Sequence, residues 1–268
     1  EEGRKAAAKA LALSREARDK IGQGVASCTI ANIEILKKDF DQAARYAEEG
    51  AGLFAKAGDV LKRADALLTV ASAYSSRVTA RNGTATQKSL EEWCGAAMNA
   101  SFMAEQLFSS LEESQGKAAA KHQAAMVFFA REQFNEALGT AQDAKGLFNE
   151  ASDGRGVASC LLLMGQVYMR WQMIIEAGDS LTTAIRLFKE SGDMDGSDMA
   201  QGAFEMIKPY YDGAKKQATA ATSQSAEDMD PYTNRRGHGW KMGANCGHTY
   251  QYFRFIGMRG RPAANMKQ

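Results

Sequence analysis

The chain has 268 residues, 45% hydrophobic and 24% charged, with a formal net charge of +1. That length allows one or two domains with a substantial core. No apolar run approaches the ~18 residues needed to span a bilayer, and Cys28, Cys94, Cys160 and Cys246 lack the spacing of a disulfide scaffold or a zinc site. A reducing compartment follows from that cysteine usage. The chain starts at Glu1 rather than methionine, which is expected of a processed start.

In chain order, a first helix is predicted over residues 3–20, where it acts as a cap. Paired helices follow to about residue 208. No proline occurs before Pro209, and proline inside a helix costs about 3 kcal/mol, so unbroken helices are expected throughout. Leu-Phe recurs as Leu53-Phe54, Leu107-Phe108, Leu147-Phe148 and Leu187-Phe188, at intervals of 54, 40 and 40 residues. The extra fourteen fit the polar stretch Thr79–Glu92 around the turn signal Asn82-Gly83. Ala43, Ala97, Ala137 and Ala177 keep the same register, as do Tyr74, Phe128 and Tyr168. Gly-Val-Ala-Ser-Cys occurs at 24–28 and 156–160, which places Cys28 and Cys160 at equivalent repeat positions.

Each repeat is expected to form two helices. Ala137, Ala141, Ala144 and Phe148 fall on one face of a helix. Gly58-Asp59, Ser152-Asp153-Gly154 and Gly192-Asp193 supply a left-handed stop and an aspartate N-cap. Alanine columns let helices approach closely, and pairs too small to fold alone must stack. Pro209 is expected to end or kink the last helix, closed by Tyr210-Tyr211-Asp212-Gly213.

The columns Gly165, Tyr168, Ala177, Leu181, Ala184 and, one repeat earlier, Ala125, Phe128, Ala137, Ala141, Ala144 resemble the tetratricopeptide repeat family in its longer, forty-residue form. The resemblance covers roughly residues 20–205 and lacks the family's proline at the repeat end. It implies an all-α, right-handed α-solenoid of about five helix pairs, with no chemistry of its own and a protein-binding concave face. In the family the first helix of each pair lines that groove. Projecting the register gives Ser27, Ile30, Glu34 and Lys37, then Asp65, Leu68, Ser72 and Ser75. The third and fourth pairs give His122, Met126 and Phe129, then Ser159, Leu162, Gln166 and Met169. Lys37 is the one basic residue among them, so the resemblance does not extend to members that clamp a terminal carboxylate. Met126, Met164 and Met169 suit either an adaptable binding surface or the core between repeats.

The organisation expected is a repeat domain over 1–213, a linker over 214–230 and a basic, aromatic-rich anchoring arm over 231–268. After Asp230 there are seven Lys or Arg and no acidic residue, which leaves residues 1–230 with 26 basic against 32 acidic side chains, a net −6. The arm's anchors are Tyr232, Arg235, Arg236, Trp240, Lys241, Tyr250, Tyr252, Phe253, Arg254, Phe255, Arg259 and Arg261, with strand-like composition over 249–256. No cofactor is called for. His238, Cys246 and His248 are three ligands where a structural zinc needs four, so no metal site is assigned. With three histidines and no phosphate loop, an enzyme is not expected.

The function these features imply is a non-catalytic interaction scaffold, or a peripheral subunit of a large complex, docking its protein partners through the groove and the arm. An organelle assembly in a plastid or mitochondrion, such as a photosystem or respiratory complex, suits that composition. The alternatives are a free peptide-binding adaptor, or contact of the basic arm with RNA or an anionic membrane surface. Nucleic acid is disfavoured because the repeat domain is acidic.

Overall fold

The computed structural model describes residues 2–80 and 86–227, with side chains to residue 217. The described residues form ten α-helices and no strand: α1 Glu2–Glu16, α2 Lys20–Leu36, α3 Phe40–Ala57, α4 Val60–Thr79, α5 Gln87–Ser110, α6 Ser114–Ala130, α7 Phe134–Glu150, α8 Gly154–Arg170, α9 Ile174–Glu190 and α10 Met194–Glu227. The chain divides into two compact units, Glu1–Thr219 and Ala220–Gln268. The expected arm, its strand and its anchors lie outside the described residues, as does Asn82-Gly83.

The junctions set the repeat. The chain turns on one left-handed residue each time, at Arg18, Lys38 and Gly58, then at Glu112, Glu132, Ser152, Gln172 and Gly192. Within each run these fall every twenty residues, half the forty-residue repeat. In the Ser152 junction it is the serine that turns, and Gly154 opens α8. The side chains of Asp19, Asp39, Asp59, Glu113, Asp153 and Asp193 accept a backbone N–H from the start of the next helix, satisfying donors that a helix N-terminus leaves open. The extra fourteen residues are largely absorbed as helix. α4 has 20 residues and α5 has 24, against 17 in α6 to α9. Arg77 braces the lengthened pair, ion-paired with Asp41 and lying 3.9 Å over the Trp93 ring.

α2 packs most extensively on α3, α4 on α5, α6 on α7 and α8 on α9. α2 also touches α4, α4 touches α6 and α6 touches α8, whereas no two of α3, α5, α7 and α9 meet among the described residues. The even-numbered helices therefore form an inner row and the odd-numbered an outer row, which curves the stack around the inner row. Ala43, Ala97, Ala137 and Ala177 are fully buried where outer helices meet inner ones. Phe54, Phe108, Phe148 and Phe188 are buried near the ends of the outer helices. A Cβ on Gly196 would lie 2.6 Å from the Phe188 ring, and Gly116 and Gly156 hold the same place over Phe108 and Phe148. Glycine three residues past each cap is thus what admits the ring. Lys62 occupies that place in α4, and Phe54 lies against Gly24 of its own pair instead.

The last helix departs from expectation. α10 runs through Pro209 to Glu227 rather than closing at 210–213. Tertiary contacts beyond the proline hold it. Tyr211 is buried against Gly178 and meets the Phe204 ring edge-on at 5.5 Å. Its hydroxyl donates to Asp179 at 2.5 Å, and Lys215 donates to the same carboxylate at 2.8 Å. These contacts offset the proline's cost of about 3 kcal/mol.

α10 differs from the other inner helices on the face that they bury. Five residues past the cap, Ala64, Ala118 and Ala158 are fully buried under the outer helix of their pair; α10 has the exposed Asp198 there. Twelve past the cap, Ala31, Ala71 and Ala125 are fully buried; α10 has the exposed Glu205. Among the described residues these two carboxylates are solvated, where the earlier inner helices bury alanine.

Candidate functional site: the inner-row groove

Counting from each N-cap places the inner-row stripe. Positions 6, 9, 13 and 16 past the cap are Asp65, Leu68, Ser72 and Ser75 on α4, and Ala119, His122, Met126 and Phe129 on α6. On α8 they are Ser159, Leu162, Gln166 and Met169. The sequence projection falls on this stripe in these three helices. In α2 the same count gives Val25, Cys28, Asn32 and Ile35, two residues before Ser27, Ile30, Glu34 and Lys37. Two residues are about 200° of helix, so those four point elsewhere. Ile30 is core, packed with Ala7 and Leu11 of α1. Glu34 is buried and ion-paired with Arg4 of α1. Lys37 is the exposed C-cap of α2.

The error has a definite source. The two Gly-Val-Ala-Ser-Cys segments are not in the same frame: Cys28 lies nine residues past Asp19, Cys160 seven past Asp153. The cysteines are therefore not equivalent. Cys28 is half-buried with its sulfur against Gly50 of α3; Cys160 is buried between α7 and α8. Burial, reinforced by the Asp65 charge, pushes the Cys28 thiol up to about 11. Burial pushes Cys160 up to about 12. Both stay protonated at neutral pH, the opposite of an activated nucleophile.

Along the groove the chemistry changes. On α4 it is polar: the Ser75 hydroxyl lies 3.1 Å from both the Ser72 carbonyl and Gln123 Oε1 of α6 and shares its one proton between these two acceptors. On α6 the His122 ring is half-buried with Nε2 enclosed and unpaired. Burial holds its pKa below the ordinary value, a shift that the Ser159 carbonyl partly offsets. From there the large side chains of the lining are apolar, with Ser159 and Gln166 of α8 between them. Met126 and Phe129 flank the buried Leu163 and Met164, and Leu162 and Met169 flank the cluster of α8, α9 and α10. Met164 is therefore core, whereas Met126 and Met169 are half-buried at the groove wall.

α10 extends the stripe. The same positions there are Met199, Gly202, Met206 and Pro209. Met199 is 63% exposed and Met206 68%. The sequence projection missed both because it stopped at the fourth repeat, on α8. The cap register, Asp153 to Asp193, would have found them.

The groove and its scaffold define the class: an all-α helical-repeat solenoid with a curved inner face. No family model matches the chain, and no curated protein sequence does. Among solved structures the chain is similar to the apo form of RapI, with a TM-score of 0.52 and 14% identity over 78% of this chain and 54% of that one. The chain thus spans about half the length of RapI. It also aligns with BtubC (BKLC) from P. vanneervenii, with a TM-score of 0.48 and 16% identity over 90% of this chain and 97% of that one. The likeness to RapI is one of fold.

Proposed function

We propose that this chain is a non-catalytic protein-interaction scaffold that holds an apolar segment of a partner in the inner-row groove. The observation that carries it is the stripe Met126, Phe129, Leu162 and Met169, continued onto the exposed Met199 and Met206 of α10. Unbranched, polarisable methionines suit a surface that adapts to an apolar helix or extended segment. The groove supplies no basic clamp for a terminal carboxylate. The two thiols on or near the inner row are held protonated by burial, which favours binding over catalysis.

The basic arm, residues 231–268, is the second part of the proposal. Its +7 charge and its Tyr, Trp and Arg anchors suit attachment to an acidic protein surface, as in a peripheral subunit of a larger complex. Affinity capture with mass spectrometry tests both parts, using the full chain, a Met126→Glu/Leu162→Glu/Met206→Glu variant and a chain ending at residue 230. Loss of one partner set with the groove variant and of contacts with the truncation supports the two roles. Identical partner lists for all three proteins would refute them.

A further inference from the structure

The outer helices leave slots between them, and one slot is unlike its neighbours. α3 and α5 do not meet, so α4 floors an opening between them on the outer side of the stack. It holds a cavity of about 250 Å³. Leu67 and Val70 of α4 line its floor, with Ala51 of α3 and Ala100 and Met103 of α5 as apolar walls. At one end the lining turns polar. Glu48 of α3 and Asn99 of α5 are exposed on the two sides, and Tyr74 of α4 brings its hydroxyl to Glu48 at 2.8 Å.

The next slot shows what such a place accepts. Between α5 and α7 it is Lys121 of α6 that rises from the floor, 3.4 Å from Glu105 and 3.5 Å from Asp143. Lys121 stands eight residues past its N-cap Glu113, and Leu67 eight past Asp59. In the same register Ala51 lies fifty-four residues before Glu105, and Met103 forty before Asp143. The α3–α5 slot therefore has leucine where its neighbour has lysine, and its carboxylate, Glu48, sits one turn along α3 from Ala51. Glu48 accepts from Tyr74 and has no ion pair among the described residues. Arg77, the cation that acts on Tyr74, is committed to Asp41 and to the Trp93 ring. Burial, then the bond to Glu48, pushes the Tyr74 hydroxyl up to about 12. It stays a donor to Glu48 and keeps a lone pair for a second partner. Beside Phe128 and Tyr168 the place of Glu48 is taken by Phe102 and Gln142, so among the described residues of these three slots carboxylate and hydroxyl come together only here.

We propose that this slot binds a lysine side chain of a partner protein. The four-carbon stem lies along Leu67, Val70 and Met103. The ammonium, with three protons to donate, meets Glu48, the Tyr74 oxygen and the Asn99 side-chain carbonyl. Volume sets the size of the occupant, since the cavity is smaller than the ~300–1,000 Å³ that encloses a drug-sized ligand. Charge sets its sign, since an anion would meet Glu48. The site faces outward and does not depend on what the inner-row groove holds.

The test is NMR of the full chain labelled at its methionine methyls, with the Met103 signal assigned through Met103→Leu. The titrant is lysine capped at both ends, Nα-acetyl-lysine N-methylamide. Saturable displacement of the Met103 signal is expected, with the groove signals of Met126, Met169, Met199 and Met206 unmoved. Capped norleucine keeps the stem and loses the ammonium. Glu48→Gln keeps an acceptor for Tyr74 and loses the charge. Each should weaken binding about threefold or more. Leu67→Lys gives the slot its own ammonium, as Lys121 does in the next one, and should abolish binding, with circular dichroism to show that the variant folds. No saturable displacement of Met103 in the wild type would overturn the proposal. So would equal affinity for capped norleucine or in Glu48→Gln, which would leave an apolar cavity without selectivity. Displacement confined to the groove methionines would give the ligand to the other face and overturn it too. If n-hexylamine saturates the Met103 signal and capped lysine does not, the site takes a free amine and the assignment to a protein side chain falls.

Discussion

Gly196→Ala puts a methyl group where the repeat needs none. The new Cβ would lie 2.6, 2.7 and 3.0 Å from Cδ1, Cε1 and Cγ of Phe188. Ordinary contact is near 3.5–4.0 Å, so the ring would have to retreat by roughly 1 Å. It has nowhere to go: Phe188 is 2% exposed and shares its cluster with Leu181, Ala184, Ala200 and Phe204. Overpacking of this kind costs about 1–3 kcal/mol. Against it stands a helix gain of about 0.5–1 kcal/mol for replacing glycine by alanine. The amide that Asp193 caps is retained. The expected net effect is a loss of about 0.5–2 kcal/mol. Gly202→Ala, in the same helix, has nothing within 4 Å of its Cβ and should gain about 0.5–1 kcal/mol. One chemical change should therefore have opposite signs six residues apart. Urea denaturation followed by circular dichroism reads this, with hydrogen exchange in α9 and α10 because solenoids unfold piecewise. Combining Gly196→Ala with Phe188→Leu should recover part of the loss through a coupling term. If Gly196→Ala stabilises the chain as much as Gly202→Ala does, the ring-on-glycine account of the repeat is wrong.

Three further outcomes follow from other parts of the fold. Burial depresses the His122 pKa below the ordinary 6.5, so the unfolded chain takes the proton first. That contribution to stability is complete above about pH 6.5 and is lost as pH falls towards the folded value; His122→Leu should flatten the urea midpoint between about pH 8 and 5.5, and an unchanged slope would count against a neutral buried imidazole. Glu132 and Gln172 both hold φ of 61° at their junctions, a conformation costing a side-chain-bearing residue roughly 1 kcal/mol. Glu132→Gly and Gln172→Gly should each raise stability by about 0.5–1 kcal/mol in thermal melts, less the entropy glycine adds to the unfolded chain; a fall would show that side-chain contacts there outweigh the backbone term. Arg4→Ala strands the buried Glu34 carboxylate. Because Arg4 is 36% exposed and Glu34 only 4%, about 1–3 kcal/mol is expected rather than the full cost of breaking a buried pair, seen as loss of amide protection in α1 and α2; undiminished protection would mean that water already satisfies Glu34.

The repeat was legible in the sequence because its strongest constraints are side-chain identities at fixed spacing. Alanine where helices cross and phenylalanine in the gap between pairs are chosen by volume, and volume leaves a mark in the amino acids. The turns were only partly legible. Gly58 and Gly192 announce a left-handed residue, but Arg18, Lys38, Glu112, Glu132, Ser152 and Gln172 adopt it with no such signal, so the twenty-residue helix period was hidden behind the forty-residue repeat. The inner-row stripe was legible on α4, α6 and α8 and misplaced on α2, where an attractive pentapeptide match outweighed the cap register. Glu34 is the residue that would have given the correction. It stands fifteen past its cap, where Tyr74, Phe128 and Tyr168 stand in later pairs, and an acidic residue in an aromatic column calls for a local partner. Arg4 is that partner. Pro209 misled for a different reason: local cost was weighed without the contacts Tyr211 makes on the far side of it.

The corrected register also gives the groove a direction. Its α4 members Asp65, Ser72 and Ser75 are polar, with Leu68 between them, whereas α2 contributes one polar residue, Asn32, beside Val25, Cys28 and Ile35; Ser75 already spends its hydroxyl on neighbouring groups. From Met126 onward the large residues of the stripe are Met126, Phe129, Leu162, Met169, Met199 and Met206, interrupted by Ser159 and Gln166 on α8, and the methionines are most exposed on α10. A bound segment would then gain most of its apolar burial at the α10 end and most of its polar contacts on α4. Mutations in the two halves should act differently. Loss of Met206 or Leu162 removes buried apolar area and should chiefly speed dissociation, whereas Ser72→Ala should leave affinity nearly unchanged and relax the choice among partners. A groove that bound through its α4 end would show the reverse ranking, and that single comparison separates an apolar clamp closed at α10 from a polar recognition strip centred on α4.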